Sequence, residues 1–231
     1  MTKTKIIVAI ITGFSLILLV GLSKASEPLR PSVGYTFDAK KEAKIRELKN
    51  LSLEEAFEKL KDVDFILNPN FLHKAIFTAF KHRLSLAIDY CVADLKVSRT
   101  ETIDGQMQMR QDFRIVTRIL RVFPSESLPR LLELYSIADP VTRGNIIVVL
   151  GKMEGGKRIR NLLIETLDDK TVCNEQSFDT NEDPLRICDE AYNQLLFRYK
   201  IYKEKKDLSF ITDANGIEIR DRYIDLLKKR L

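Results

Sequence analysis

The sequence predicts an all-α protein, a short curved solenoid of antiparallel helix pairs. Three observations predict it. Apolar residues make up 45% of the 231-residue chain and charged residues 31%, the balance of a helical soluble protein. Apolar positions recur at helical spacing through most of the chain beyond residue 38. A helix, tight turn and helix over 139–169 also echo the preceding stretch at an offset of 31 residues.

The chain opens with "MTKTKIIVAIITGFSLILLVGLSKA" (1–25). Lys3 and Lys5 precede an unbroken apolar run, Ile6 to Leu22, and Ser23-Lys24-Ala25 places small residues where a signal peptidase reads. This order predicts an exported protein, periplasmic or extracellular, whose mature chain starts at Ser26. The alternative is an inner-membrane anchor formed by 6–22, although that 17-residue run is short for a span of roughly 20 residues. Membrane contact is expected only in that case. Cleavage removes three lysines and no acid, so the formal charge falls to +5 − 3 = +2. A near-neutral mature chain gives no electrostatic case for nucleic acid.

Residues 26–38, "SEPLRPSVGYTFD", carry Pro28, Pro31 and Gly34 without a period and read as a linker. Helix pairs are expected over 39–96. "LSLEEAFEKLKD" opens on Ser52 with Glu55 three residues on, a capping box. Asn68 and Pro69 start the next helix as cap and first-turn residue, and "LSLAIDYCVADLK" (84–96) returns antiparallel to it. The segment 97–105 reads as a loop. "QMQMRQDFRIVTRILRVF" then forms one helix, with Met109, Phe113, Val116, Leu120 and Phe123 on one stripe. Ile115, Ile119 and Val122 form a second stripe beside it, so about half the circumference is apolar and the helix packs on more than one flank.

Repeats are expected over 105–231. Helices 125–137 and 156–168 superpose with Leu128 on Ile159, Leu131 on Leu162 and Leu132 on Leu163. The Asp-Pro at 139–140 recurs at 183–184, followed each time by an arginine, Arg143 or Arg186. An aspartate cap with proline in the first turn explains that pattern. Leu185, Cys188, Tyr192, Leu195 and Tyr199 form the stripe of the last copy.

"DPVTRGNIIVVLGKMEGGKRIRNLLIETLDD" resembles a HEAT-type repeat of the kind also found in phycobilisome-lyase-like proteins. The resemblance lies in the Asp-Pro start, the early arginine, the Leu-Gly at 150–151, the glycine turn and the Leu-Asp-Asp close. "DPLRICDEAYNQLL" is similar to the first helix of a following repeat, with Asp189 where a small apolar residue is usual. The likeness covers about 107–199 and is weaker over 39–96, and segments 170–183 and 207–216 lengthen two connections. It implies a non-catalytic scaffold that grips a protein or peptide along a concave face. The alternative it implies is a lyase-like enzyme or chromophore-binding protein.

His73 and His82 fall on different helical faces, and no Cys/His cluster has ligand spacing, so neither metal nor cofactor is expected. There is no Gly-x-Ser-x-Gly, and "GKMEGGKR" lacks the phosphate-loop spacing, so no catalytic residue is assigned. Asp189 and Glu190 point about 100° apart on a helix and cannot act as a paired acid and base. Asp189 is expected instead to reach a neighbouring helix terminus. Arg110, Arg114, Arg118 and Arg121 fall within about 80° of one helix face. They form either a ridge for an acidic partner or lipid headgroup, or a solvated outer face, and the outer face is the expectation. Cys173 and Cys188 flank one polar loop and are either bridged or two buried reduced thiols, while Cys91 lies far off in an apolar stretch. The expected contact for a protein or peptide partner is Arg130, Leu134 and Ile137 on one helix with Asn161, Glu165 and Asp168 on the next. The register sets aliphatic residues against acids there, as in a small apolar contact rimmed by charge.

Overall fold

The computed structural model describes residues 39–62, 65, 68–104, 106–154, 156–174, 183–200, 207–212 and 214–231. The expected signal peptide (1–25), the linker (26–38) and the middle of the inserted segment 170–183 lie outside the described residues. The chain divides into two compact units, Met1–Lys44 and Ile45–Leu231. The first is described only where α1 (Ala39–Leu48) begins. No described helix is long and apolar enough to cross a membrane.

The second unit is mostly helical, as the sequence predicts. Helix α2 (Leu53–Leu60) starts on the expected capping box: Glu55 N–H donates to Ser52 Oγ at 3.1 Å and Ser52 N–H donates to Glu55 Oε2 at 2.7 Å. Helix α3 (Pro69–Phe80) starts where Phe71 N–H donates to Asn68 Oδ1, and α4 (Leu84–Asp94) follows after a three-residue turn. At that turn Arg83 donates to Ala79 O at 3.0 Å and Leu51 O at 2.6 Å, tying the α3–α4 corner to the end of the α1–α2 connection.

The segment expected to be a loop followed by helix is a β-hairpin. Thr100–Ile103 (β1) pairs antiparallel with Gln106–Met109 (β2), so the helix that follows, α5, starts at Gln111 and ends at Val122. Thr-Glu-Thr-Ile and Gln-Met-Gln-Met alternate with period two, and Asp-Gly between them is a two-residue hairpin turn. Asp104 takes the positive φ of 53° that such a turn requires.

Helix α6 (Pro124–Ile137), α7 (Pro140–Gly151), α8 (Gly156–Glu165) with a 3₁₀ turn (Thr166–Asp168), α9 (Ile187–Tyr199) and α10 (Ile217–Lys228) complete the unit. Asp139 caps α7 as expected, accepting from Thr142 N–H at 3.0 Å and from the Thr142 hydroxyl at 2.5 Å. Ile146 through Leu150 are all buried, because α7 has neighbours on every side: α5, α6, α8 and α9. Helix α5 also packs on α3 and α4, α4 packs on α6, and α9 packs on α8 and α10. The core therefore runs continuously from Ile45 and Leu48 to Ile224 and Leu227.

The second Asp-Pro works differently from the first. Leu185–Arg186 form a short strand (β4) beside Val172–Asn174 (β3), so the backbone at 183–186 is extended and α9 begins only at Ile187. Its N-terminus is closed by Asp189, which accepts from Arg186 N–H at 3.0 Å. Asp183 is left to serve another helix, accepting from Ile217 N–H at the start of α10 at 3.3 Å. Asp189 is fully buried, and where the sequence reading has it reach a neighbouring helix terminus, the backbone amide it takes belongs to its own helix start. A neighbouring helix sends it a cation: Arg220 of α10, itself 0% exposed, donates to Asp189 Oδ2 at 3.2 Å and to Pro184 O at 2.9 Å.

Candidate functional site

The arginine face of α5 is the starting point. Arg114, Arg118 and Arg121 recur at i, i+4 and i+7, so they line up along about 10 Å of one helix face. Arg110 precedes the helix and leaves the row. Its guanidinium donates to both oxygens of Asp94, at 3.1 and 3.0 Å, and to Ser98 O at 2.5 Å, which fastens the hairpin base to the end of α4.

The remaining three are exposed, as a solvated face requires, but the surface they line is concave. They form one wall of a cleft of about 880 Å³. The opposite walls are the turn after α7 (Lys152, Met153, Glu154) and the end of α9 (Phe197, Arg198, Tyr199, Lys200), with Leu72 and Met109 completing an apolar end. Six cationic side chains therefore meet one carboxylate, Glu154.

Two local devices build this concavity. Helix α7 approaches α9 closely at Gly151, where a side-chain Cβ would overlap the Gln194 side chain, so glycine lets the two helix ends converge. Arg198 then reaches from α9 to Met153 O and, at 3.5 Å, to Leu150 O, taking up carbonyls at the α7 C-terminus. Helix α9 stops at Lys200, which takes the left-handed conformation, φ 54°.

Arg114, Arg118, Arg121 and Lys152 make no hydrogen bond or ion pair with a carboxylate among the described residues. Their charges crowd one another. Burial first, then the adjacent Arg118, makes Arg121 a weaker base than a free arginine. Burial, then Arg121, does the same to Lys152. Phe197, 57% exposed, and Tyr199, whose ring lies under the guanidinium of Arg160 at 5.8 Å, add aromatic surface at the rim. A smaller recess of about 210 Å³ opens behind, between α5 and the first two turns of α3. No protein-family model, curated protein or solved structure matches this chain.

The partner contact expected on α6 and α8 is dispersed. Leu134 is half-buried and packs on the core, so only Ile137, 80% exposed, presents a free aliphatic surface. Arg130 is engaged with Asp89 of α4 and, at 3.3 Å, with Ser85. Asn161 and Glu165 are exposed, and Asp168 pairs with Lys228 of α10 at 2.5 Å. None of these residues lines either cavity.

The bridge between Cys173 and Cys188 is not formed; both are free, buried thiols, as is Cys91. The reason is direction. Cys173 lies on β3 against Gly144 of α7, where an added Cβ would sit 2.8 Å from its Sγ, and its thiol donates to Leu185 O at 3.5 Å. Cys188 sits on the buried face of α9 with its thiol 3.8 Å from Asp189 Oδ1. Burial pushes both thiols up to about 12.

Lys152, Phe197, Arg198 and Lys200 were not singled out by sequence reasoning. The signal was present in "LGKME" and "LFRYK", cations at or just past the ends of α7 and α9. Only tertiary packing brings those ends to the same α5 face.

Proposed function

We propose that the chain is a non-catalytic, exported scaffold, a short solenoid of helix pairs that binds a protein or peptide partner through an acidic segment. The stacking of α3 on α5, α5 on α7 and α7 on α9, with α4 on α6, supports the solenoid reading. One observation carries the binding reading: Arg114, Arg118, Arg121 and Lys152 share a concavity of about 880 Å³ with Glu154, and none of the four is ion-paired to a carboxylate among the described residues. Holding like charges together costs free energy that an anionic partner returns, and arginine forks suit carboxylates in particular. The apolar end at Leu72 and Met109 and the exposed Phe197 give such a segment something to bury besides charge. On this reading the partner sits on the α5 side and not on the α6 and α8 positions expected from sequence.

The test is a titration of the full chain with a short peptide of alternating glutamate and leucine, followed by fluorescence anisotropy. Binding should weaken about tenfold or more in Arg114→Gln/Arg118→Gln and should fall steeply with salt. Leu134→Ser/Ile137→Ser should bind as the parent does. If that second pair abolishes binding while the first leaves it intact, the partner lies on the α6 and α8 face and the cleft reading is lost.

A further inference from the structure

The recess behind the cleft differs from the cleft itself in how its charge is arranged. Arg118, Arg121 and Lys152 line both cavities and so form the wall they share. His73 and Ile76 of α3 line the recess alone, and Leu72 lines it together with the cleft. Pro69 opens that helix, so the recess runs along its first two turns.

Charge arithmetic decides what fits. Three cations against the single carboxylate Glu154 leave 3 − 1 = +2 around about 210 Å³. One carboxylate brings −1 and leaves the site half-compensated. A phosphomonoester brings about −1.5 to −2 and three acceptor oxygens, enough to take a hydrogen bond from each of the three cations. The recess has room for one tetrahedral group with a few waters.

We infer that Arg118, Arg121 and Lys152 form a seat for a phosphomonoester dianion carried on the acidic segment bound in the cleft. This rests on the cleft reading above for the peptide, but the anion seat itself stands on the recess. The same chemistry has two sources, a phosphorylated side chain or a free small phosphate. The crowding of Arg121 and Lys152 supports either, since a dianion relieves it.

The experiment uses the full chain and three probes. Two are short acetylated peptides of alternating glutamate and leucine that differ only in a central phosphoserine or glutamate. The third is inorganic phosphate at constant ionic strength, read by the shift in melting temperature. The phosphoserine peptide should bind about tenfold tighter than its glutamate twin, the scale of one or two charge-assisted hydrogen bonds. Arg121→Gln/Lys152→Gln, checked for native helicity, should weaken both peptides, since both residues also line the cleft, and should bring their affinities to within about twofold of each other. Inorganic phosphate should stabilise the parent and not this variant. Equal binding of the two peptides, with no stabilisation by phosphate, overturns the seat and leaves the cleft reading standing. Stabilisation by phosphate without binding of either peptide upholds the seat, assigns it to a free phosphate, and removes the peptide reading.

Discussion

Asp189 accepts from Arg186 at 3.0, 3.1 and 2.9 Å and from Arg220 at 3.2 Å, with no exposure of its own. A buried carboxylate flanked by two guanidinium groups is costly to assemble and costlier to break, because removing it strands both cations. Asp189→Ala should therefore destabilise the fold by about 3–5 kcal/mol, read as a lowered urea midpoint at unchanged slope. A midpoint shift below about 1 kcal/mol would mean that the cations relax into solvent. The thiols give a second test at this scale. Titration in guanidinium without reductant should count three free thiols, whereas a count of one would restore the bridge. The fold holds Cys173 and Cys188 up to about 12, above the roughly 8.5 of an unfolded thiol. The unfolded chain thus loses its thiol protons first as pH rises. Their contribution to stability is whole below about pH 8.5 and is lost as pH climbs towards 12, a loss that Cys173→Ala/Cys188→Ala should reduce.

Elements show where sequence reasoning succeeds and where it stops. Local signals were legible: the Ser52–Glu55 box, the Asn68 and Asp139 caps and, from Phe113 onward, the apolar stripes of α5 appear in place. The Asp-Gly hairpin was equally local and was passed over, because methionines at helical spacing extended the α5 stripe backwards through β2. The setting of the arginine face was not local. Its residues and angle follow from the α5 sequence, but whether they meet water or a wall depends on how far α7 and α9 converge. That convergence hangs on Gly151. Gly151→Ala should cost about 1–3 kcal/mol by overpacking and move Lys152 off the cleft wall, weakening acidic-peptide binding in protein that still folds. Undiminished affinity at reduced stability would show that the α7 end shifts without carrying the site. The second Asp-Pro teaches the same lesson from the other side: the motif repeats in sequence, yet Asp183 caps α10 and not α9.

At the scale of the molecule, charge is unevenly placed. The formal excess of +5 is modest for 231 residues, yet six cations face one acid in a single cleft. A field confined to one concavity is screened over roughly 10 Å at 0.1 M salt. The fold should therefore respond weakly to salt while peptide affinity responds strongly. Raising sodium chloride from 50 to 300 mM should leave the melting temperature within about 2 °C and reduce acidic-peptide affinity by roughly tenfold. Parallel loss of both would mean that ion pairs across the molecule, and not the cleft, set the salt dependence.

The Arg220–Asp189 contact also has a consequence in time. The two residues lie 31 positions apart in order of synthesis, and a ribosome adding about 5–20 residues per second takes roughly 1.5 to 6 s to make that stretch. Throughout that interval the nascent chain holds an aspartate that its core is built to bury, with Arg186 as its sole cation. Helix α9, which carries that aspartate, also packs on α7 and α8. Arrival of α10 supplies the second guanidinium. A chain cut between α9 and α10 should therefore keep Asp189 on Arg186 alone and be cleaved faster in limited proteolysis than the full chain.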